Sequence, residues 1–224
     1  MGRIVRVEVW TDVQCVWCYV GDARWRRAIS MFGGTVDVVH RSFELQPGFP
    51  VDFDAQEYLQ AQRGLNAAEQ ARVFESMTRV AAEEGLAYAP ERIRPTNSHL
   101  AMEVLHHAET VGRGDEVRDR LYAAYFVEGR HIGTTESLLE LATEAGLDPD
   151  RVRAELDAGT YRAAVNEDSA AARVLGVQGV PFAVIDNVYP ISGAQRTEAL
   201  VEALQRASAA PSPRPGEPSS PRRG

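Results

Sequence analysis

The sequence contains no lysine: all 24 of its basic residues are arginine. That absence excludes a Schiff-base lysine, a pyridoxal-phosphate attachment site and the lysine of a phosphate-binding P-loop. No apolar run approaches the ~18 residues of a membrane span. The N-terminus alternates polar and apolar residues instead of forming a secretory block of ~7–15 apolar ones, and Arg6 stands where a myristoylation signal needs Ser or Thr. Basic charge is also short, with a net charge of -8, so neither a nucleic acid nor an acidic membrane surface is the expected partner. Cysteine is scarce too. Cys15 and Cys18 are the only two, and with the cytosol as the expected location a lone pair points to redox or catalytic use.

What is present suffices for one good core. With 224 residues and 44% hydrophobic content, the chain can bury a domain carrying an inserted lobe.

The cysteines sit at a junction. Ile4 to Trp10 alternates Ile4, Val5, Val7 and Val9 with Arg3, Arg6 and Glu8, the period of a strand. Val20, Ala23, Ala28, Met31 and Phe32 then recur at helical spacing until Gly33-Gly34. Cys15-Val16-Trp17-Cys18 therefore spans a strand-to-helix turn, with Cys15 outside the first helical turn and Cys18 about one turn in. Free backbone N–H groups and the positive end of the helix dipole stabilise an anion there, and the thiolate is the form that attacks disulfides. A cysteine three residues on can resolve the resulting mixed disulfide.

Two blander readings compete. A zinc site needs four ligands, and no second cysteine pair exists. His106 and His107 are adjacent and diverge by about 100° on a helix, so no metal is expected. Inert buried cysteines would need neither a helix start nor this spacing.

Along the chain, Thr35 to Leu45 reads as a second strand, completing a βαβ unit, which Pro47, Gly48 and Pro50 end. Helical patterns follow from Asp54 to about Leu147: Asp54 to Gly64, a longer helix capped by Asn66 and closed by Gly85, Asn97 to Val111, Asp115 to Glu128, and Thr135 to Ala145. Asp148-Pro149 opens another helix, and Thr160 to Leu175 a further one. Pro181 to Asp186 and Val188 to Ser192 read as strands around an Asp186-Asn187 turn. Gln195 to Ser208 is a last amphipathic helix. The Pro, Ser, Gly and Arg residues from Ala209 onward cannot bury a core.

Gly179-Val180-Pro181-Phe182 marks the start of the third strand. Proline is disfavoured inside a paired strand, and a cis bond before it costs only ~0.5–1 kcal/mol. Position alone leaves open a trans proline at a strand's first residue; beside the cysteine motif, cis is the expectation. A cis bond would turn the Val180 backbone groups outward, where an extended substrate segment could pair with them.

This order of elements resembles the thioredoxin superfamily, in its DsbA-like branch and, within that, the FrnE-like oxidoreductases. Carrying the resemblance are Cys15-Val16-Trp17-Cys18-Tyr19-Val20-Gly21, Phe43-Glu44-Leu45-Gln46-Pro47, Tyr125-Phe126-Val127-Glu128-Gly129, Gly176-Val177-Gln178-Gly179-Val180-Pro181-Phe182 and Ile191-Ser192-Gly193-Ala194-Gln195. It covers about residues 3–207. It implies an α/β thioredoxin-like fold with an inserted all-helical lobe: residues 1–50 and 148–208 as the thioredoxin-like domain, 51–147 as the lobe, and 209–224 as a disordered tail. Two departures stand out. The family commonly has proline at Val16, and residues between the cysteines tune their potential. The DsbA-to-thioredoxin range of roughly -120 to -270 mV, about 7 kcal/mol, therefore stays open. Met102 stands where a related segment usually carries a histidine, so no role of that histidine is carried over.

The expected activity is thiol–disulfide exchange, with Cys15 as nucleophile and Cys18 as resolving thiol. Trp17, Val180 and Pro181 are the candidate substrate contacts. Asp12 and Glu44 are candidate proton acceptors for Cys18; in the plainer reading Asp12 organises the turn and Glu44 faces water. His99, His106, His107 and His131 are expected to be packed or solvated. No cofactor beyond the cysteine pair is expected, with glutathione as a candidate co-substrate, and the expected partners are thiol- or disulfide-bearing proteins or small molecules. One alternative is a glutathione-dependent isomerase or transferase, of the hydroxychromene-carboxylate isomerase or kappa type. Such enzymes typically present a serine at the Cys15 position and leave Cys18 unexplained. A non-enzymatic, redox-gated binding or holdase module is the third reading.

Overall fold

The first strand decides which way the sheet faces. β1 (Val5–Thr11) buries Val5, Val7 and Val9 on one face, while exposed Arg6 and half-buried Glu8 lie on the other. In the computed structural model, which describes residues 3–52 and 67–210, β1 pairs in parallel with β2 (Val36–Ser42), from Val5 opposite Val36 to Thr11 opposite Ser42. A parallel pair needs a long crossover, and α1 (Val16–Phe32) provides it. Gly33 ends α1 in the left-handed conformation, at φ 68°, as the Gly33-Gly34 stop signal led us to expect.

β3 (Phe182–Ile185) runs antiparallel to β1, and β4 (Tyr189–Ser192) antiparallel to β3. Among the described residues the sheet order is β2-β1-β3-β4. The Asp186-Asn187 turn between β3 and β4 has φ of 49° and 59° at its two residues, the sense that matches strand twist in a tight hairpin. Asp186 is held there by its own carboxylate, which accepts from the Arg6 N–H at 3.0 Å and the Arg3 guanidinium at 2.6 Å.

Helices cover both sides of the sheet. On one, Trp25 and Ala28 of α1 and Leu200 and Leu204 of the last helix pack on Val5, Val7, Val9, Ala183 and Ile185. On the other, α7 (Arg162–Val174) packs against β2 and Trp10; the rest of the helical layer is α2 (Ala67–Glu83), which touches α1, α3 (His99–Thr110), α4 (Gly114–Ala123), α5 (Thr135–Glu144) and α6 (Pro149–Ala158), before α8 (Thr197–Ala209) closes the chain. Asp148 caps α6 through the Asp150 N–H at 3.0 Å, with Pro149 in its first turn. The apolar cluster of this layer begins at Val13, beside the cysteine turn, and runs through Leu121, Phe126 and Leu141 to Val152 and Leu156 of α6.

Several expected elements differ in extent. The second strand stops at Ser42 instead of Leu45: the Phe43 N–H still bonds to the Thr11 carbonyl at 2.9 Å, but the two that follow bond to side chains, Glu44 to the Ser169 hydroxyl and Leu45 to the Asp12 carboxylate. The helix expected to end at Glu128 gives way after Ala123 to a wide π-helical turn over Ala124–Glu128. Ala124, Tyr125 and Phe126 are all buried in that turn, which closes on Gly129 in the left-handed conformation. α3 begins at His99, where the Asn97 side chain accepts the His99 N–H at 2.8 Å. The helix expected over Asp54 to Gly64, the Asn66 cap and the tail beyond Ala210 lie outside the described residues.

Candidate active site

The chain leaves β1 at Thr11 and turns through Asp12, Val13 and Gln14 into α1. Cys15 is the cap residue, with extended φ and ψ of -88° and 111°. Its N–H donates to the Asp12 carbonyl at 3.0 Å, and its carbonyl receives Cys18 at 2.9 Å and Tyr19 at 3.1 Å. The N–H groups of a helix's first turn have no partner within the helix, so the Cys15 sulfur stands at the electropositive end of α1. Both cysteines are free thiols, Cys15 with 8% of its surface exposed and Cys18 with none.

An apolar bed of Trp10, Phe43, Ala172, Val177 and Val180 surrounds the two sulfurs. Burial in this bed raises the Cys18 thiol well above the ordinary range, and its hydrogen bond to Cys15 and the nearby Cys15 and Asp12 charges push the same way; the Asp12 N–H, bonded to the sulfur, opposes them. Cys18 is therefore held as the protonated thiol. Burial also pushes Asp12 up to about 6, against hydrogen bonds from the Leu45 and Gln14 N–H groups and the Ser98 side chain, with Glu44's charge adding to the rise. The two N–H contacts measure 2.9 and 3.0 Å. Asp12 thus organises the turn and is also a carboxylate close to neutrality beside a buried thiol.

The Val180–Pro181 bond is cis, in line with the expectation from sequence. The Val180 carbonyl accepts from the Cys15 Sγ at 3.3 Å, and Val180 is buried. The geometry of this pairing depends on Gly21, whose importance no periodicity signals. A Cβ there would lie 3.0 Å from the Pro181 Cγ, so the missing side chain lets α1 approach Pro181. Trp17, between the cysteines, is 40% exposed. Glu44 does not face water: it is buried, with its Oε1 3.3 Å from the His99 Nδ1.

Gln14 escaped the sequence reading altogether. Its amide donates to the Thr96 carbonyl at 2.5 Å, and its oxygen accepts from the Thr96 N–H at 3.3 Å and the Tyr125 hydroxyl at 3.1 Å. It therefore straps the cysteine turn to the helical layer. Tyr19, one residue past Cys18, does the same with aromatic packing, stacked on Phe126 at 5.1 Å and tilted against Tyr122 at 5.0 Å. Beside Gln14 lies a cavity of about 200 Å³ lined by Asp12, Gln14, Val16, Leu45, Met77 and Tyr125 among others. Among the described residues, no group of three or more His, Cys, Asp or Glu side chains is arranged to hold a metal, and no helix is long and apolar enough to cross a membrane.

Residues 6–205 match the family described as the DSBA-like thioredoxin domain. The chain belongs to that family. This DSBA-like chain is 38% identical to the probable DsbA oxidoreductase of Streptomyces coelicolor, whose crystal structure it matches with a TM-score of 0.87 over 93% of this chain and 92% of the other. It is 29% identical, over 70% of its own length and 74% of the relative's, to the uncharacterised protein YwbO of Bacillus subtilis. The cytosolic disulfide reductase DsbM of Pseudomonas aeruginosa, solved with glutathione, shares the DSBA-like fold at 21% identity and a TM-score of 0.61, over 91% of this chain and 96% of that one.

Proposed function

We propose that this DSBA-like chain is a thiol–disulfide oxidoreductase, of the FrnE-like subgroup, with Cys15 as nucleophile and Cys18 as resolving thiol. The observation that carries the reading is the stacking of the two sulfurs. Cys15 caps α1 against the Val180 carbonyl, and a protonated, fully buried Cys18 is hydrogen-bonded to it.

In the reductive direction the Cys15 thiolate attacks a client disulfide. A Cys15–client S–S bond forms, the client's own S–S bond breaks, and its second sulfur leaves as a thiolate. Cys18 then gives its proton to Asp12 and attacks the Cys15 sulfur. The Cys15–Cys18 bond forms and the mixed disulfide breaks, so two electrons have passed to the client. The oxidative direction is the same sequence reversed, and the reduction potential of the pair against the surrounding thiol pool sets which one runs. Trp17, Val180 and Pro181 line the approach to Cys15, with the described helices of the lobe taken as the roof. Glutathione is the candidate small thiol for recycling, supported by its presence with the Pseudomonas protein, and the cytosol is the proposed location.

The test is Cys18→Ser. This variant should accumulate a Cys15 mixed disulfide visible by mass spectrometry, while the wild type reduces insulin or oxidises a thiol peptide without accumulating it. A wild type with two intact thiols and no exchange activity sinks the reading. Full activity of Cys18→Ser towards a small electrophile in the presence of glutathione would favour the isomerase or transferase alternative instead.

A further inference from the structure

Cys18 and Asp12 have 0% and 2% of their surface exposed, and of the two only Asp12 reaches the cavity beside the cysteine turn. A line of titratable groups leads away from them. The Asp12 carboxylate is bonded by the Ser98 side chain and senses the Glu44 charge, and the Leu45 N–H ties the segment carrying Glu44 to it at 2.9 Å. Glu44 Oε1 lies 3.3 Å from His99 Nδ1, and His99 Nε2 lies 3.4 Å from Glu103 Oε1. Glu103 Oε1 is in turn 3.8 Å from Nε of Arg162, a side chain 60% exposed.

Glu103 is the unusual member. It is 1% exposed, and neither carboxyl oxygen makes a hydrogen bond of good geometry among the described residues. Its contacts with His99 and Arg162 are ion-pair approaches, too long or misaligned to count as such bonds. A neutral imidazole has one N–H to donate, yet His99 presents both ring nitrogens to carboxylate oxygens. Satisfying both contacts takes one proton more than a neutral ring and two carboxylates hold. A buried cluster of this kind is a weak source of stability compared with apolar packing, and nothing in the disulfide exchange described above uses it.

We propose that Glu44, His99 and Glu103 form the proton path that joins the buried Cys18–Asp12 pair to solvent beside Arg162. The inference rests on the oxidoreductase reading of the cysteines. One proton moves and no electrons: Cys18 gives it to Asp12, Asp12 to Glu44 and Glu44 to His99 Nδ1; His99 gives the proton on its Nε2 to Glu103, and Glu103 releases one to water. Reduction of the pair draws a proton inward along the same line. The charges facing the path are Arg162 and His106; His106 itself meets Asp168 at 3.3 Å, which is paired with Arg41. Burial raises the Glu103 carboxyl, with His99, Arg162 and His106 opposing that rise.

The experiment is a stopped-flow reaction of the full-length reduced protein with Ellman's reagent. The first nitrothiobenzoate released reports attack by Cys15, and the second reports resolution by Cys18. Glu103→Gln and His99→Gln should leave the first phase unchanged and slow the second about tenfold or more, short of the ~10²–10⁴ expected of a group that transfers the proton directly, with a flattened pH profile. Imidazole added to His99→Ala should restore the second phase in a concentration-dependent way. Wild-type second phases and pH profiles in both variants overturn the path, as does equal slowing of both phases or no rescue by imidazole. If Glu103→Gln does not fold, His99→Gln and the rescue decide alone. A wild type with no second phase sinks the oxidoreductase reading and the path with it; a normal wild type with normal variants sinks only the path.

Discussion

The Cys15 sulfur donates its hydrogen bond to the Val180 carbonyl, 3.3 Å away and 165 residues further along the chain. Below that sulfur Cys18 has no exposed surface, and burial keeps its thiol protonated. The two cysteines should therefore differ sharply towards an alkylating agent. Iodoacetamide at neutral pH should label Cys15 first, and Cys18 only after unfolding. Peptide mapping by mass spectrometry over a time course checks this, and equal labelling of both in the folded protein would contradict it.

Asp12 gives the protein a pH dependence of defined sign. Its folded value of about 6 lies above the ordinary 3.8, so between those two pH values the native state binds the proton more tightly than the unfolded chain does. Stability contributed by this group is present at low pH and falls as pH rises from 4 to 6. At ~1.4 kcal/mol per pH unit between the two values the loss is about 3 kcal/mol. Urea unfolding at a series of pH values should show this slope in the wild type and not in Asp12→Asn, which should also slow the Cys18 step.

His40 works in the opposite sense. Burial, with Arg118 and Arg26 nearby, pushes it down to about 3, and its Nδ1 is shut away without a hydrogen-bond partner among the described residues. The unfolded chain therefore binds the proton more tightly between pH 6.5 and 3, and stability falls as pH drops through that window, by at most ~1.4 kcal/mol per pH unit. A His40→Gln variant should lose less stability than the wild type between pH 6.5 and 4.5, as read from melting temperatures. An unchanged acid slope would remove His40 from the account.

Gln14→Ala should cost about 1–3 kcal/mol, because it strands the fully buried Thr96 backbone groups that the amide satisfies. The same change removes the bond between the Tyr125 hydroxyl and Gln14 and should speed hydrogen exchange in the cysteine turn and around Thr96 together. Loss of stability without faster exchange at both places would refute the strap.

Gly21→Ala meets two opposed effects. The helix gains about 1 kcal/mol in propensity, while the new Cβ sits 3.0 Å from the Pro181 ring. The net change should be small. Gly21→Val has no such gain and should cost about 1–3 kcal/mol by overpacking, with slower attack by Cys15 as Pro181 is displaced. Chemical denaturation and the first phase with Ellman's reagent measure the two effects separately.

Much of the frame was legible before any coordinates. Period-2 alternation gave β1, helical spacing and Gly33 gave α1, Asp148-Pro149 gave the start of α6, and Asp186-Asn187 gave the hairpin. Each is a local preference of the backbone, written into neighbouring residues. The boundaries missed at Ser42 and Ala123 failed for one shared reason: a distant partner, the Asp12 carboxylate in one case and the aromatic core in the other, outcompeted local continuation.

The sequence alone determined that two thiols stand at a helix start with a proline-led strand to face them, because spacing and turn chemistry act over a few residues. Only the tertiary structure decided what surrounds them. It buried Cys18 and nearly all of Asp12, turned Glu44 inward onto His99, and set Gln14 on Thr96. Those pairings join residues about 55 to 82 positions apart along the chain. Burial and proton affinity belong to such assembled neighbourhoods, and no stretch of chain carries them by itself.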